Sequence, residues 1–204
     1  MSADRPLHAA DLHPDPLAQF ARWFADARDG GAFEPEAMAL ATATPRGAPS
    51  ARMVLSKGFD ERGFVFYTNY GSRKGRDLEA NPRAALLFHW PELGRQVRIE
   101  GAVSRVDRAE TEAYAHSRSR GSQLSALASP QSRPVDSREW LDQRVARLAE
   151  EHEGDELPPK DDWGGYRLAP DAWEFWQHRP DRLHDRFAYR PEPRTGWRIE
   201  RLGP

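Results

Sequence analysis

The segment Trp173–Arg186, WEFWQHRPDRLHDR, gathers Trp173, Phe175 and Trp176 with two histidines, His178 and His184, and with Arg179, Arg182 and Arg186. Aromatic faces cover a flat ring, and guanidinium forks hold phosphate or carboxylate bidentately, so this mixture suits a planar anionic ligand. Read as a strand, Arg182, His184 and Arg186 alternate onto one face. Three cationic-capable groups side by side repel unless an anion or an electron-rich ring lies between them. The segment reads as one wall of an active site.

Three further blocks carry cations without acids. Residues 37–59 hold Arg46, Arg52 and Lys57; residues 62–76 hold Arg62, Arg73, Lys74 and Arg76; residues 113–135 hold Arg118, Arg120 and Arg133; none contains Asp or Glu. In a chain of net charge -2 such windows point to local anion pockets rather than a nucleic-acid stripe. In RMVLSK, Arg52–Lys57, strand alternation puts Arg52, Val54 and Ser56 on one face and Met53, Leu55 and Lys57 on the other. Alone, that block reads as an ordinary strand with solvated ends. YTNYGSRKG, Tyr67–Gly75, passes from a strand end through a Gly turn to Ser-Arg-Lys at a helix start. Free N–H groups there, with Arg73 and Lys74, make either an anion site or a solvated cap. Tyr114 and Arg118 sit four apart on one helix face with Ser122 just beyond, an arrangement open to a second phosphate or to a plain Ser/Arg-rich loop.

Other chemistries lack their signatures. There is no GxxxxGK[ST], no GxSxG and no HExxH, and His178 and His184 are six apart, so no metal is expected. The absence of cysteine removes disulfides, thiolate metal sites and cysteine nucleophiles, and fits a reducing cytoplasm. No apolar run approaches a membrane span, and residues 1–15 lack the apolar centre of a signal peptide.

The elements that must position these blocks follow from turn and cap residues. Residues 1–14 are expected to be a mobile arm and residues 15–204 one domain. Asp15-Pro16 starts a helix that Gly30-Gly31 ends, with Leu17, Phe20, Ala21 and Phe24 at helical spacing. Strands are expected at Ala37–Ala43, Ala51–Leu55 and Gly63–Thr68, then a short helix from Ser72 to Ala80, then strands Ala84–Trp90 and Gln96–Val106. Capping boxes at Asp107–Glu110 and Asp136–Glu139 open helices, with another short one at Ser122–Ala128. After the acidic loop Glu150–Lys160, short aromatic strands return to Leu202. Many short strands with few helices favour a mainly β, α+β architecture: an antiparallel barrel with helical additions.

RMVLSK, FYTNYGSRKG, RQVRIEG, the Tyr114–Ser132 segment, WGGYRLAP and EFWQ…RLHDR occur in that order from Asp15 to the terminal Arg201-Leu202-Gly203-Pro204. Together they resemble the pyridoxine/pyridoxamine 5′-phosphate oxidase family. The resemblance implies an FMN-binding split β-barrel acting as a homodimer, with the flavin at the subunit interface. It implies flavin contacts at Arg52, Met53, Val54, Leu55, Lys57, Tyr67, Thr68, Arg73, Lys74, Gln96, Gln131, Ser132, Trp176 and Arg186. Lys57, Tyr114, Arg118 and Ser122 would hold the substrate phosphate, with Arg182 and His184 as catalytic residues over the pyridine ring. The implied reaction converts pyridoxamine or pyridoxine 5′-phosphate to pyridoxal 5′-phosphate, a hydride leaving C4′ for flavin N5 and O2 ending as hydrogen peroxide. Ser56 stands where the family has an apolar residue, and His178 where Gly follows EFWQ. Two rivals remain at this stage: a sibling oxidase of a phenazine-type substrate, and a non-catalytic module binding FMN or pyridoxal phosphate.

Overall fold

The computed structural model describes residues 6–154, 156–194 and 196–204 of the 204. Its elements in chain order are α1 (Pro16–Asp29), β1 (Ala37–Ala43), β2 (Pro49–Leu55), β3 (Gly58–Asp60), β4 (Gly63–Asn69), α2 (Arg73–Ala80) and β5 (Arg83–Trp90). There follow β6 (Arg95–Arg105), α3 (Arg108–Ser117), α4 (Arg120–Ala128), α5 (Arg138–Glu151), β7 (Trp163–Gln177), β8 (Asp185–Glu192) and β9 (Gly196–Leu202). Among the described residues, nine strands join one antiparallel sheet in the order β2-β1-β5-β6-β7-β4-β3, with β8 pairing β7 and β9 pairing β8.

The tail strand β7 is long, not short as its turn residues suggested, and it organises the sheet. Residues 163–168 pair with residues 64–69 of β4, residues 173–177 pair with β8, and β6 runs alongside both halves. A register shift at Glu100/Gly101 bends the pair where β7 changes partners, which curls the sheet into a half-barrel. Only glycine fits at this bend: a Cβ on Gly101 would stand 2.0 Å from the Ala169 carbonyl oxygen.

Helix α1 plugs the concave side. Asp15 accepts a hydrogen bond from the Leu17 N–H at 3.0 Å and Pro16 takes the first turn, as the sequence dictates. Its Phe20 is fully buried and meets Phe59, Phe64 and Phe88 edge-on with centroids 5.0, 4.9 and 4.8 Å away. Such a ring contributes about 1.5–3 kcal/mol by burial, and edge-on pairs add about 0.5–1.5 kcal/mol each. Met38, Leu40, Leu86, Val97, Ile99 and Phe175 complete the centre of the core.

Of the remaining helices, α2 packs against β1, α3 against β7, and α4 against α5. Asp107 caps α3 through the Glu110 N–H at 2.7 Å, as expected, but Ser137 rather than Asp136 caps α5, accepting from the Trp140 N–H at 3.1 Å. The strand β3 had no signal beyond its turn, being only three residues long. Of the expected arm, residues 1–5 lie outside the described residues. Residues 7–13 are docked: Leu7 N–H donates to Asp185 Oδ2 at 3.0 Å, Arg201 Nη2 donates to the Leu7 carbonyl at 2.7 Å, and Tyr189 Oη donates to the His13 carbonyl at 2.7 Å. No helix among the described residues is long and apolar enough to cross a membrane.

Candidate active site

A cleft of about 440 Å³ opens where β2, β4, the start of β7 and the α3–α4 corner meet. Met53, Val54, Leu55 and Lys57 enter it from β2 and its exit, and Tyr67 and Thr68 from β4. Lys74 of α2, Tyr114 and Arg118 at the end of α3, and Gln131 beyond α4 supply the rest of the expected set found there. Asn69, Ser125, Ala126, Ser129 and Trp163 also line it and were not anticipated. Trp163 had a readable signal, since it opens the WGG run in which glycines leave room for rings.

One wall of the cleft is aromatic. The Tyr67 and Tyr114 rings stack with centroids 3.9 Å apart at 19°, and Trp163 continues the stack 5.5 Å from Tyr67. The Gly165 position makes this possible: a Cβ there would lie 2.9 Å from Tyr67 Cε1 and 2.5 Å from Val106 Cγ2. The Arg118 guanidinium sits 5.0 Å over the Trp163 ring, a cation–π contact that keeps it spread along the wall. Burial pushes the Tyr67 phenol up to about 12, and burial, opposed by Arg118, also raises Tyr114. Both hydroxyls are therefore neutral donors near pH 7.

The floor is cationic. Lys74, nearly buried, donates from Nζ to Thr68 Oγ1 at 3.1 Å and Gln131 Oε1 at 3.0 Å, and Thr68 Oγ1 donates to Gln131 Oε1 at 2.8 Å. Burial, and then the charge of Arg52, hold the Lys74 ammonium below its ordinary value. Arg52 is pinned beneath by Leu40, Thr42 and Ser50, and burial with the nearby Arg73 charge outweighs Asp77 to lower its guanidinium as well. Buried Lys74, which lines the cleft, and half-buried Arg52, which is not in its lining, are both disfavoured as cations by their surroundings, and such groups favour an incoming anion. Arg73 stands exposed at the first position of α2, whose Ser72 cap accepts from the Gly75 N–H at 3.3 Å. Ser122 and Ser132 do not line the cleft; Ser122 Oγ instead accepts from Ser119 Oγ at 2.9 Å. Ser56 is buried and turned to the Gly58 carbonyl, away from Lys57's role.

The remaining expected residues form a second group elsewhere. Gln96 pairs with Trp176 across β6–β7, and Trp176 pairs with Arg186 across β7–β8. Arg186 Nε donates to the buried Glu174 at 2.8 Å, which also receives Arg98 Nη2 at 2.6 Å, so its guanidinium is fixed in place. The His184 ring lies 4.5 Å from Trp176 and 5.3 Å from His178. His184 Nδ1 accepts the Arg179 N–H at 3.1 Å, which puts the proton of the neutral ring on Nε2. His178 N–H in turn donates to the Gly94 carbonyl at 2.7 Å, anchoring the turn that replaces the family's glycine.

The strand expected over Arg182–Arg186 is corrected here. Pro180–Arg182 is a 3-10 turn, and β8 begins only at Asp185. Asp181 and Arg182 have φ of 55° and 61°, the left-handed region that costs non-glycine residues of order 1–3 kcal/mol each. Pro180 ends the extended run, so Arg182 projects from a turn instead of alternating with His184 and Arg186. Arg182 is exposed, with no hydrogen-bond or ion-pair partner among the described residues.

The two groups do not meet within one chain. None of Gln96, Trp176, Arg182, His184 and Arg186 lines the cleft. Trp163, which does, and Trp176 stand at opposite ends of the curled β7, with a chain path of roughly 43 Å between them at the usual strand rise. No cluster of three or more metal-ligating side chains occurs among the described residues.

A curled antiparallel sheet with a cationic, aromatic-walled cleft at its edge defines a split-barrel protein, and known structures agree. PhzG from Burkholderia lata 383, solved with tetrahydrophenazine-1-carboxylic acid, superposes with a TM-score of 0.91 at 34% identity over the whole of both chains. A pyridoxamine 5′-phosphate oxidase-related, FMN binding protein from Nostoc punctiforme PCC 73102 shares the fold, with a TM-score of 0.71 at 20% identity over 95% of this chain and 98% of its own. The family model "Pyridoxamine 5′-phosphate oxidase" matches residues 30–152, and "Pyridoxine 5′-phosphate oxidase C-terminal dimerisation region" matches residues 163–204. The pyridoxine/pyridoxamine 5′-phosphate oxidase of Rubrobacter xylanophilus is 59% identical over 94% of this chain and 88% of its own; that of Gluconobacter oxydans is 53% identical over 99% and 100%. The chain belongs to the pyridoxine/pyridoxamine 5′-phosphate oxidase family.

Proposed function

We propose that this chain binds FMN and oxidises pyridoxamine and pyridoxine 5′-phosphates to pyridoxal 5′-phosphate, with oxygen as acceptor. The observation that carries the reading is the family match along nearly the whole chain, at identities up to 59%. The donor set fits a flavin phosphate: buried Lys74 and half-buried Arg52 offer charge without a close carboxylate hydrogen bond, and the cleft has the size of a cofactor site. When bound, FMN supplies the acceptor for a hydride from substrate C4′ and passes the electrons to oxygen, giving hydrogen peroxide.

This chain's residues bind and orient. Arg52, Arg73, Lys74, Thr68 and Gln131 hold the cofactor phosphate and ring edge, with Met53, Val54, Leu55 and Tyr67 along its flank. Lys57, Tyr114 and Arg118 clamp the substrate phosphate, which makes the transfer effectively intramolecular. Arg182 orients the pyridine ring, and His184 presents Nε2–H to its substituents. Gln96, Trp176, Arg186, Arg182 and His184 reach that ligand from a second copy of the chain, because one copy holds them too far away. The dimerisation-region match at residues 163–204 supports this homodimer, since it covers four of those five residues. The cysteine-free composition supports a cytoplasmic setting.

The full-length likeness to PhzG supports a second reading, a sibling oxidase of a tricyclic substrate. Purified protein should be yellow with a flavin spectrum, and should form aldehyde and peroxide with either phosphorylated vitamer. A colourless protein that refuses added FMN overturns the proposal. Flavin reduction by a tetrahydrophenazine carboxylate but not by either vitamer selects the second reading.

A further inference from the structure

The buried face between α2 and β1 holds an acid to which the catalytic reading gives no role. Asp77 is buried, and its Oδ2 accepts the Thr42 hydroxyl at 2.7 Å. The same Thr42 Oγ1 accepts from Arg52 Nη1 at 2.8 Å. A hydroxyl has one proton, so the direction of this relay is fixed: Arg52 donates to Thr42, and Thr42 donates to Asp77. Arg52 Nη1 also donates to the Leu40 carbonyl at 3.1 Å, and Nη2 donates to Ser50 Oγ at 2.5 Å. Asp77 itself stays 3.9 Å from Arg52 Nη2, too far for a hydrogen bond.

Nη1 is thereby saturated by β1, whereas Nε–H and one Nη2–H have no protein partner among the described residues. We propose that Asp77 is a positioning residue for the cofactor phosphate: acting through Thr42, it holds the Arg52 guanidinium in the one rotation that leaves these donors for the anion. The inference rests on the FMN reading above. Burying a carboxyl group is costly unless its lone pairs are met, so Asp77 tied to Thr42 resists any rotation of Arg52 that would break the relay. It also sets the charge. Arg52, Arg73 and Lys74 against one carboxylate leave two positive charges for a phosphate monoester of about -1.5 to -2.

The positioning role and a merely nearby negative charge predict opposite signs. An acid that only repels the phosphate would, when removed, tighten FMN. A positioning acid would, when removed, weaken it. FMN and riboflavin affinities of the deflavinated protein, read by flavin fluorescence quenching, separate these cases. We expect D77A and T42V each to weaken FMN about ten-fold, the scale of one misaligned charge-assisted hydrogen bond, and to leave riboflavin unchanged. The double variant should be no weaker than either single one, because both break one relay. T42S, which keeps the hydroxyl, should bind as wild type. Should D77A fail to fold, T42V against T42S carries the same test without a change of charge. Unchanged or tighter FMN binding in D77A or T42V, or parallel loss of FMN and riboflavin, overturns the proposal while the FMN reading stands. A wild-type protein that binds neither flavin overturns both.

Discussion

Arg118 has no carboxylate partner among the described residues; its guanidinium lies over Trp163 and beside Tyr114. A charge held on an aromatic wall keeps its donors for a ligand, which under the proposed function is the substrate phosphate. Removing it deletes a charge-assisted contact of about 1.5–3 kcal/mol. R118A should therefore raise KM for pyridoxine 5′-phosphate roughly 10- to 100-fold with a smaller change in kcat, as loss of uniform binding requires. Turnover of unphosphorylated pyridoxine should not change. Steady-state kinetics with both compounds checks this, and an equal loss for the two would take Arg118 off the phosphate.

Among the elements, the docked segment 7–13 is tied at its Leu7 end to a buried acid at the start of β8, Asp185. Burial alone would raise the Asp185 carboxyl, but hydrogen bonds from Arg201 and the Leu7 N–H, with the charges of Arg201 and Arg179, take it below the usual carboxylate range. The folded value lies below the unfolded one, near 3.9, so this stabilisation is complete above that pH and is lost as pH falls through the folded value. Acid should release residues 7–13 before the sheet melts, seen as early loss of hydrogen-exchange protection at Leu7 and Leu12. D185N should show the same release at neutral pH and lower Tm by roughly 2–10 °C, corresponding to about 1–3 kcal/mol. A D185N protein with wild-type protection at Leu7 would show that the segment is held by other contacts.

At the scale of the molecule, the long β7 separates the two halves of the candidate site. If Lys57 and Arg118 serve one end of a ligand and Arg182 and His184 of a second copy serve the other, variants of the two groups must complement. R182A/H184A and K57A/R118A should each be nearly inactive alone. Mixed by refolding, they should recover about a quarter of wild-type activity, since half the dimers are mixed and each of those holds one intact site. Sedimentation should give a dimer throughout. No recovery from a mixture shown to contain mixed dimers would place both groups in one protomer.

Local chemistry was legible wherever the chain decides it alone. Asp15-Pro16, Ser72 and Asp107 set helix starts, the alternation around Arg52 set β2, and acid-free windows marked the cations that converge on the cleft, because caps, period-2 patterns and charge balance act over a few residues. Asp136 misled because two neighbouring cap-formers compete, and backbone geometry chose Ser137. The RLHDR run misled because Pro180 and two left-handed residues stop the extended chain, a choice that costs energy locally and is made by the surrounding turn. Trp163 in the cleft, the Arg52–Thr42–Asp77 relay and the distance between Trp163 and Trp176 all join residues remote in sequence. The sequence determined which side chains were present and which local elements carried them. The curl of β7 past Gly101 decided which of them meet, because contacts between distant segments exist only once the sheet has closed.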